Sequence, residues 1–153
     1  MTDAGDDALG LVAGAGRLPF EVARGAREAG RRVVAVAFEG FADPALAGVV
    51  DALHWVRIGE LGALLGALHA AAARAVVVAG NVPKEQLFAA DRVRLDARGA
   101  AFLAALRDRS DDSILRALGD VLETEGLRVE AQTRWAAHLL APAGVLGAVA
   151  PTA

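Results

Sequence analysis

Strands and helices alternate along this chain, which predicts an α/β domain: a mostly parallel sheet flanked by helices, in three layers. Three observations carry that prediction. Short apolar runs such as LGLVA, RVVAVAF and AVVVA are hydrophobic without alternation, as strands covered on both faces are. Helical patterns separate them. Two of the runs stop at glycine turns, Gly14-Ala15-Gly16 and Gly80-Asn81, where a strand would hand over to a loop or helix.

In chain order, residues 1–8 read as a flexible tail. Leu9–Ala13 is the first strand and Pro19–Ala29 the first helix, with Pro19 near its first position and Gly30 as its left-handed stop. Arg32–Phe38 is the second strand. Asp43 caps a short turn that opens at Pro44. Ala52–Val56 is a third strand, Gly59–Ala72 a helix with Leu61, Leu64, Leu65 and Leu68 on one face, and Ala75–Ala79 a fourth strand. Val82–Leu95 reads as loop with a short helix. Ala100–Arg107 is a helix, and Ser110 caps another over about Ser113–Glu125, with Ile114, Leu115, Leu118, Val121 and Leu122 inward and Gly126 at its end. Leu127–Glu130 is a short strand and Trp135–Leu140 a short helix.

Composition narrows the function. At 153 residues the chain is long enough to bury a core, 55% of it is apolar, and aromatic residues are 5%. The net charge is −3, which offers no basic face for nucleic acid. The absence of cysteine removes disulfides, thiolate zinc sites and cysteine nucleophiles, and fits a cytoplasmic protein. The run Ala63–Ala79 is broken by His69 and Arg74 and reads as helix then strand, not as a membrane span. The acidic start, MTDAGDDA, is no signal peptide.

In parallel sheets ligands sit outside the carboxyl ends of the strands, and both glycine turns fall there. The loop Gly14, Gly16, Arg17, Pro19 is similar to a dinucleotide fingerprint without its third glycine, with Glu39 as a counterpart of the ribose-binding acid. Without that glycine, NAD and FAD are not expected. A phosphate or sugar held on backbone N–H groups, or a tight turn with no ligand, are the remaining readings. In the second loop, Gly80, Asn81, Val82 and Lys84 place the chain's one lysine beside a strand end, either against a phosphate or in solvent. Asp111 and Asp112 suit a magnesium ion or an acid–base pair, but equally the positive end of the helix they open. His54, His69 and His138 share no ligand spacing, and Trp55 and Trp135 read as packing residues. No Gly-x-Ser-x-Gly elbow and no lysine-bearing phosphate loop is present.

Five segments in register carry a resemblance: LGLVAGAGRLPFEVARGAREAGRRVVAVAFEG, DPALAGVVDALHWVRIGELGALLGAL, VVVAGNVPKEQLF, SDDSILRALGDVLETEGLRV and LLAPAGVLGAVAPT. The chain resembles the N-terminal domain of the LpxI-type UDP-2,3-diacylglucosamine pyrophosphatases of lipid A biosynthesis. The resemblance implies a Rossmann-like domain over residues 9–140, with 141–153 opening an interdomain linker. The catalytic residues would then lie in a second domain outside this chain. It implies hydrolysis of UDP-2,3-diacylglucosamine to UMP and 2,3-diacylglucosamine 1-phosphate (lipid X), with magnesium bound mainly through that second domain and the lipid product lying between the two. It carries Gly14, Gly16 and Pro19 onto the family's first loop, Gly80, Val82 and Lys84 onto its second, and Asp111-Asp112 onto its acidic pair. Asn81 and Pro83 depart from the second loop, and Glu85 stands where a proline is usual. The implied partners are the substrate, a separate catalytic domain or a second copy, and the surface of the inner membrane from its cytoplasmic side. The competing reading is a non-catalytic Rossmann-like module for a nucleotide, lipid or protein, which the uncharged tail Leu139–Val149 would serve as an apolar contact.

Overall fold

The structure is a computed structural model that describes residues 8–82, 85 and 95–136. Among these, five strands form one parallel sheet in the order β3-β2-β1-β4-β5. They are β1 (Ala8–Ala13), β2 (Arg32–Phe38), β3 (Ala52–Val56), β4 (Ala73–Ala79) and β5 (Arg128–Val129). The helices are α1 (Leu18–Glu28), α2 (Leu61–Ala70), α3 (Ala97–Ala105) and α4 (Asp111–Thr124), with 3-10 turns at Pro44–Gly48 and Gln132–Arg134. This is a three-layer α/β, Rossmann-like domain.

β1 lies at the centre, buried along its whole length. Its register runs Leu9–Val33 toward β2 and Leu9–Ala75 toward β4. Successive strand residues face opposite sides, so one sheet builds two cores. Leu9, Leu11, Val33, Ala35, Ala75 and Val77 meet Val22, Ala23 and Ala26 of α1, together with Leu46 and Trp135. Val12, Val36, Val56 and Val76 meet Leu64, Leu65 and Leu68 of α2, and Leu122 of α4. The alanine-rich sequence serves close packing. A Cβ on Gly10 would stand 2.5 Å from a Leu68 methyl, and one on Gly25 would collide with the Trp135 carbonyl.

Several bounds differ from the sequence expectation, each for a local reason. β1 begins at Ala8, which is fully buried. α2 is shorter than Gly59–Ala72 because both ends are left-handed: Gly59 has φ +95° and Ala72 φ +59°. α3 starts at Ala97, three residues early, because Asp96 caps it through the Gly99 N–H at 2.7 Å. β5 is only two residues long. In place of the expected helix from Trp135, a 3-10 turn precedes it at Gln132–Arg134; residues 137–140 of that expectation lie outside the described residues. Trp55 is not a packing residue: it lies on the edge strand, 40% exposed. Leu115, expected inward, is 58% exposed.

The remaining caps are as the sequence indicates. Asp43 accepts from the Ala45 N–H at 2.9 Å, and Ser110 Oγ from the Ser113 N–H at 3.1 Å. Gly30 and Gly126 close α1 and α4 with φ of +87° and +86°.

Candidate functional site at the carboxyl edge of the sheet

β1 and β4 are neighbours, with Ala13 beside Ala79, although α1, β2, β3 and α2 lie between them in the chain. From β1 the sheet grows through β2 and β3 on one side, then resumes with β4 and β5 on the other, so the strand order reverses here. Such a switch point is where parallel sheets bind ligands.

The two glycine turns meet at this point. The Gly14 N–H donates to the Ala79 carbonyl at 2.9 Å, and Ala15 and Asn81 exchange two N–H···O bonds of 2.9 Å each. A Cβ on Gly14 would stand 2.7 Å from the Asn81 oxygen, and one on Gly80 2.7 Å from the Gly14 carbonyl carbon. Gly80 also has φ +97°. Both glycines are therefore required by the crossing of the loops. The bond pattern also corrects the picture of a bare N–H cradle, because the first two N–H groups past β1 already have protein acceptors. Gly16, with φ +102° and open space around its Cα, leads into α1. Arg17 occupies the N-cap without a side-chain cap bond, and its side chain, 92% exposed, reaches only as far as Glu21 at 3.8 Å.

A cavity of about 530 Å³ opens outside these strand ends, between the sheet, α2, α3 and α4. Val12, Gly14, Phe38, Val78, Gly80, Asn81 and Val82 form its floor. Ile58–Leu61 and Leu64 supply one wall, Leu95, Gly99, Phe102 and Leu103 a second, and Asp111, Ile114, Leu115 and Leu118 a third. Glu85 also lines it. Of the residues singled out from sequence, Gly14, Gly80, Asn81, Val82 and Asp111 come together here. Gly16, Arg17 and Pro19 do not line the cavity; α1, whose first turn holds Pro19, packs on the opposite face of the sheet. Asp112 is 79% exposed and paired with Arg116 at 2.9 Å. Lys84 lies outside the described residues, as does His138.

Two polar groups that sequence reasoning missed hold the cavity's walls. Asp96 accepts from Gly62 N–H at 2.7 Å, Ala63 N–H at 3.3 Å and Gly99 N–H at 2.7 Å. One carboxylate thus caps two helix starts, and both helix dipoles favour its charge. The local signal was present, an aspartate directly before a helical run, but its second client, α2, could not be read from it. Farther out, Glu125 joins three helices: Arg98 of α3 donates to it at 2.8 Å and His69 of α2 lies 3.0 Å away. The Arg98 hydrogen bond first, and that of His69 second, hold the Glu125 carboxyl below its ordinary value.

The described residues by themselves form no cluster that could hold a metal ion. Among the described residues no three His, Asp or Glu side chains converge. Among the described residues the carboxylates on the cavity wall are those of Glu60, Glu85 and Asp111, and Glu60 accepts from the Arg57 N–H at 2.8 Å. No helix among the described residues is long and apolar enough to cross a membrane.

Comparison with known proteins agrees with the family resemblance that the sequence carries. A relative from Caulobacter vibrioides, described as UDP-2,3-diacylglucosamine pyrophosphatase LpxI, is 37% identical over 146 residues, which is 94% of this chain and 50% of the relative. The chain therefore spans about half the length of the curated relative it matches. The family model described as the LpxI N-terminal domain matches residues 8–139, which include every strand and helix described above, and the chain belongs to that family.

Proposed function

We propose that this chain is the substrate-binding half of a UDP-2,3-diacylglucosamine pyrophosphatase. Its role is to hold the acylated nucleotide sugar while a second domain supplies the groups that break the pyrophosphate, giving UMP and 2,3-diacylglucosamine 1-phosphate for lipid A biosynthesis. The observation that carries this reading is the family match over residues 8–139, which spans the elements that form the switch-point cavity. The activity by which the relative is described points to the substrate, and on this reading the catalytic residues belong to the half of the relative that the chain does not cover. Any magnesium ion is assigned to that half too, since the carboxylates described here do not make a site for it. On this reading a diacylated substrate would bring the work to a membrane surface.

Within this chain the candidate contacts are Gly80, Asn81, Val82 and Asp111 on the cavity wall, with Gly16 and Arg17 at the start of α1 beyond it. Lys84 follows the second loop and is the candidate partner of a phosphate. One observation favours a second reading, a binding module without a catalytic partner: the N–H groups of Gly14 and Ala15 are already bonded, so the first loop presents a weaker anion site than its sequence suggests.

The test is UMP release from UDP-2,3-diacylglucosamine with magnesium, using the chain alone and then mixed with the C-terminal half of the Caulobacter vibrioides relative. The expected result is release only on mixing. Release by the chain alone would move the catalytic groups into this domain, with Asp111 the first to replace. No release in either arm, with the mixed halves shown to associate, would favour the binding module.

A further inference from the structure

A strand at the edge of a sheet presents a row of N–H and C=O groups to any chain that can pair with it. β3 is such an edge: among the described residues it pairs with β2 and with no other strand. The side of β2 that faces it is marked by two bonds. The Val33 N–H donates to the Asp51 carboxylate at 2.8 Å, and the Glu39 N–H to the Val56 carbonyl at 2.9 Å. Backbone groups alternate in direction along a strand. His54 and Val56 therefore turn theirs to β2, and Leu53 and Trp55 turn theirs away from the sheet. Among the described residues no backbone bond meets that outward row. Within Ala52–Val56 no lysine, proline or bulge blunts the edge, and His54 and Trp55 are exposed.

We propose that a second copy of this chain pairs with β3, antiparallel, about a two-fold axis at His54. Such an axis closes the assembly at two copies. In this register Leu53 lies opposite the second copy's Trp55, and Trp55 opposite its Leu53, so the outward backbone groups of both are used. An axis moved to Leu53 or to Trp55 would draw on the N–H of Asp51 or Arg57. Those already donate, to the Val33 carbonyl at 2.9 Å and the Glu60 carboxylate at 2.8 Å. Leu53 packs toward the α1 face of the sheet, and alternation puts the Trp55 ring on that same face. The pairing thus sets an exposed indole against a leucine on each side of the axis. The same register brings Arg57 opposite the second copy's Asp51. Arg57 already lies 3.9 Å from Glu39, and Asp51 3.6 Å from Arg27. The row Glu39, Arg57, then the second copy's Asp51 and Arg27, alternates in sign throughout, and the axis repeats it. No residue of β3 lines the cavity, so the pairing does not depend on the proposed substrate.

The test is sedimentation velocity of the full chain over a concentration series up to about 1 mM, paired with amide hydrogen exchange. The expected result is a monomer–dimer equilibrium. The Leu53 and Trp55 amides gain protection as concentration rises, while those of His54 and Val56 are protected throughout. Trp55→Pro removes an outward N–H and the indole but no bond to β2, and is expected to abolish the dimer. Arg57→Glu sets like charges opposite one another on both sides of the axis, and is expected to weaken the dimer by at least about tenfold. Arg57 is exposed, so its variant keeps the fold even where Trp55→Pro does not, and circular dichroism checks both. A monomer at every concentration would overturn the proposal. So would protection of Leu53 and Trp55 that is independent of concentration, which would mean that another part of the same chain covers the edge. A dimer unchanged in a folded Arg57→Glu variant would place the contact elsewhere and overturn it as well.

Discussion

Gly80 carries two constraints in one residue: a left-handed backbone and a neighbouring chain in the place of a side chain. Alanine there must bear the left-handed cost and also push the Gly14 backbone away. The expected outcome for Gly80→Ala is a loss of about 3 kcal/mol, read as a lower urea midpoint with an unchanged slope. Because the bridge between Ala15 and Asn81 shapes the cavity floor, the same variant should weaken any ligand that binds there. Gly16 offers a contrast. It shares the positive φ but has no atom within 4 Å of its built Cβ, so only the backbone term applies to it.

α3 is held chiefly by its ends. Gly99 is its one buried residue, and a Cβ there would collide with the Gly59 carbonyl, so the helix crosses the start of α2 closely and otherwise faces the cavity and solvent. Asp96 and the Arg98–Glu125 pair are therefore its main polar anchors. Asp96→Ala removes the cap of α3 and the bonds to α2 together. A loss of about 2 kcal/mol is expected, with faster amide hydrogen exchange in α3 and the first turn of α2 and little change in β1. Glu125 adds a pH dependence. Its carboxyl is held below the ordinary value of 4.5, so the stability it contributes is present above that value and is lost as pH falls through the depressed one. The unfolding midpoint of the wild-type chain should accordingly fall more steeply under acid than that of Glu125→Gln; parallel curves would show that the carboxylate contributes nothing to stability.

Across the whole molecule, the sheet's first face is closed by the segment that follows β5. Gln132 donates to the Val78 carbonyl at 2.8 Å, and the Trp135 ring lies under Arg31 and Arg134, 5.5 and 5.0 Å from their guanidinium carbons. The Trp135 indole N–H donates to Glu130 at 3.0 Å, a buried carboxylate that also meets Arg128. Trp135→Ala would empty the space against α1 and remove a buried partner of Glu130. About 3–4 kcal/mol is expected to be lost in thermal or urea unfolding. The cavity lies on the other face, so a folded variant should retain its ligand binding. That separation distinguishes a stabilising strap from a part of the site.

Local chemistry determined much of this protein. The bounds of β2 and β3, the caps at Asp43 and Ser110 and the stops at Gly30 and Gly126 all follow from residues within a few positions of each other, so they were legible in the chain. The parallel sheet followed from the alternation of those elements, and the family from five motifs in register. What only the tertiary structure decided are contacts between distant residues. Asp96 reaches Gly62 across 34 positions, and His69 reaches Glu125 across 56. The two glycine turns were each visible, but not that they bond to one another and so use the N–H groups a phosphate would need. Likewise the period of α4 marked Leu115 as an inward residue, yet α4 turns it to the rim of a cavity instead of the core. Periodicity fixes which side chains share a face of a helix; only the packing of that helix against the others fixes what the face meets.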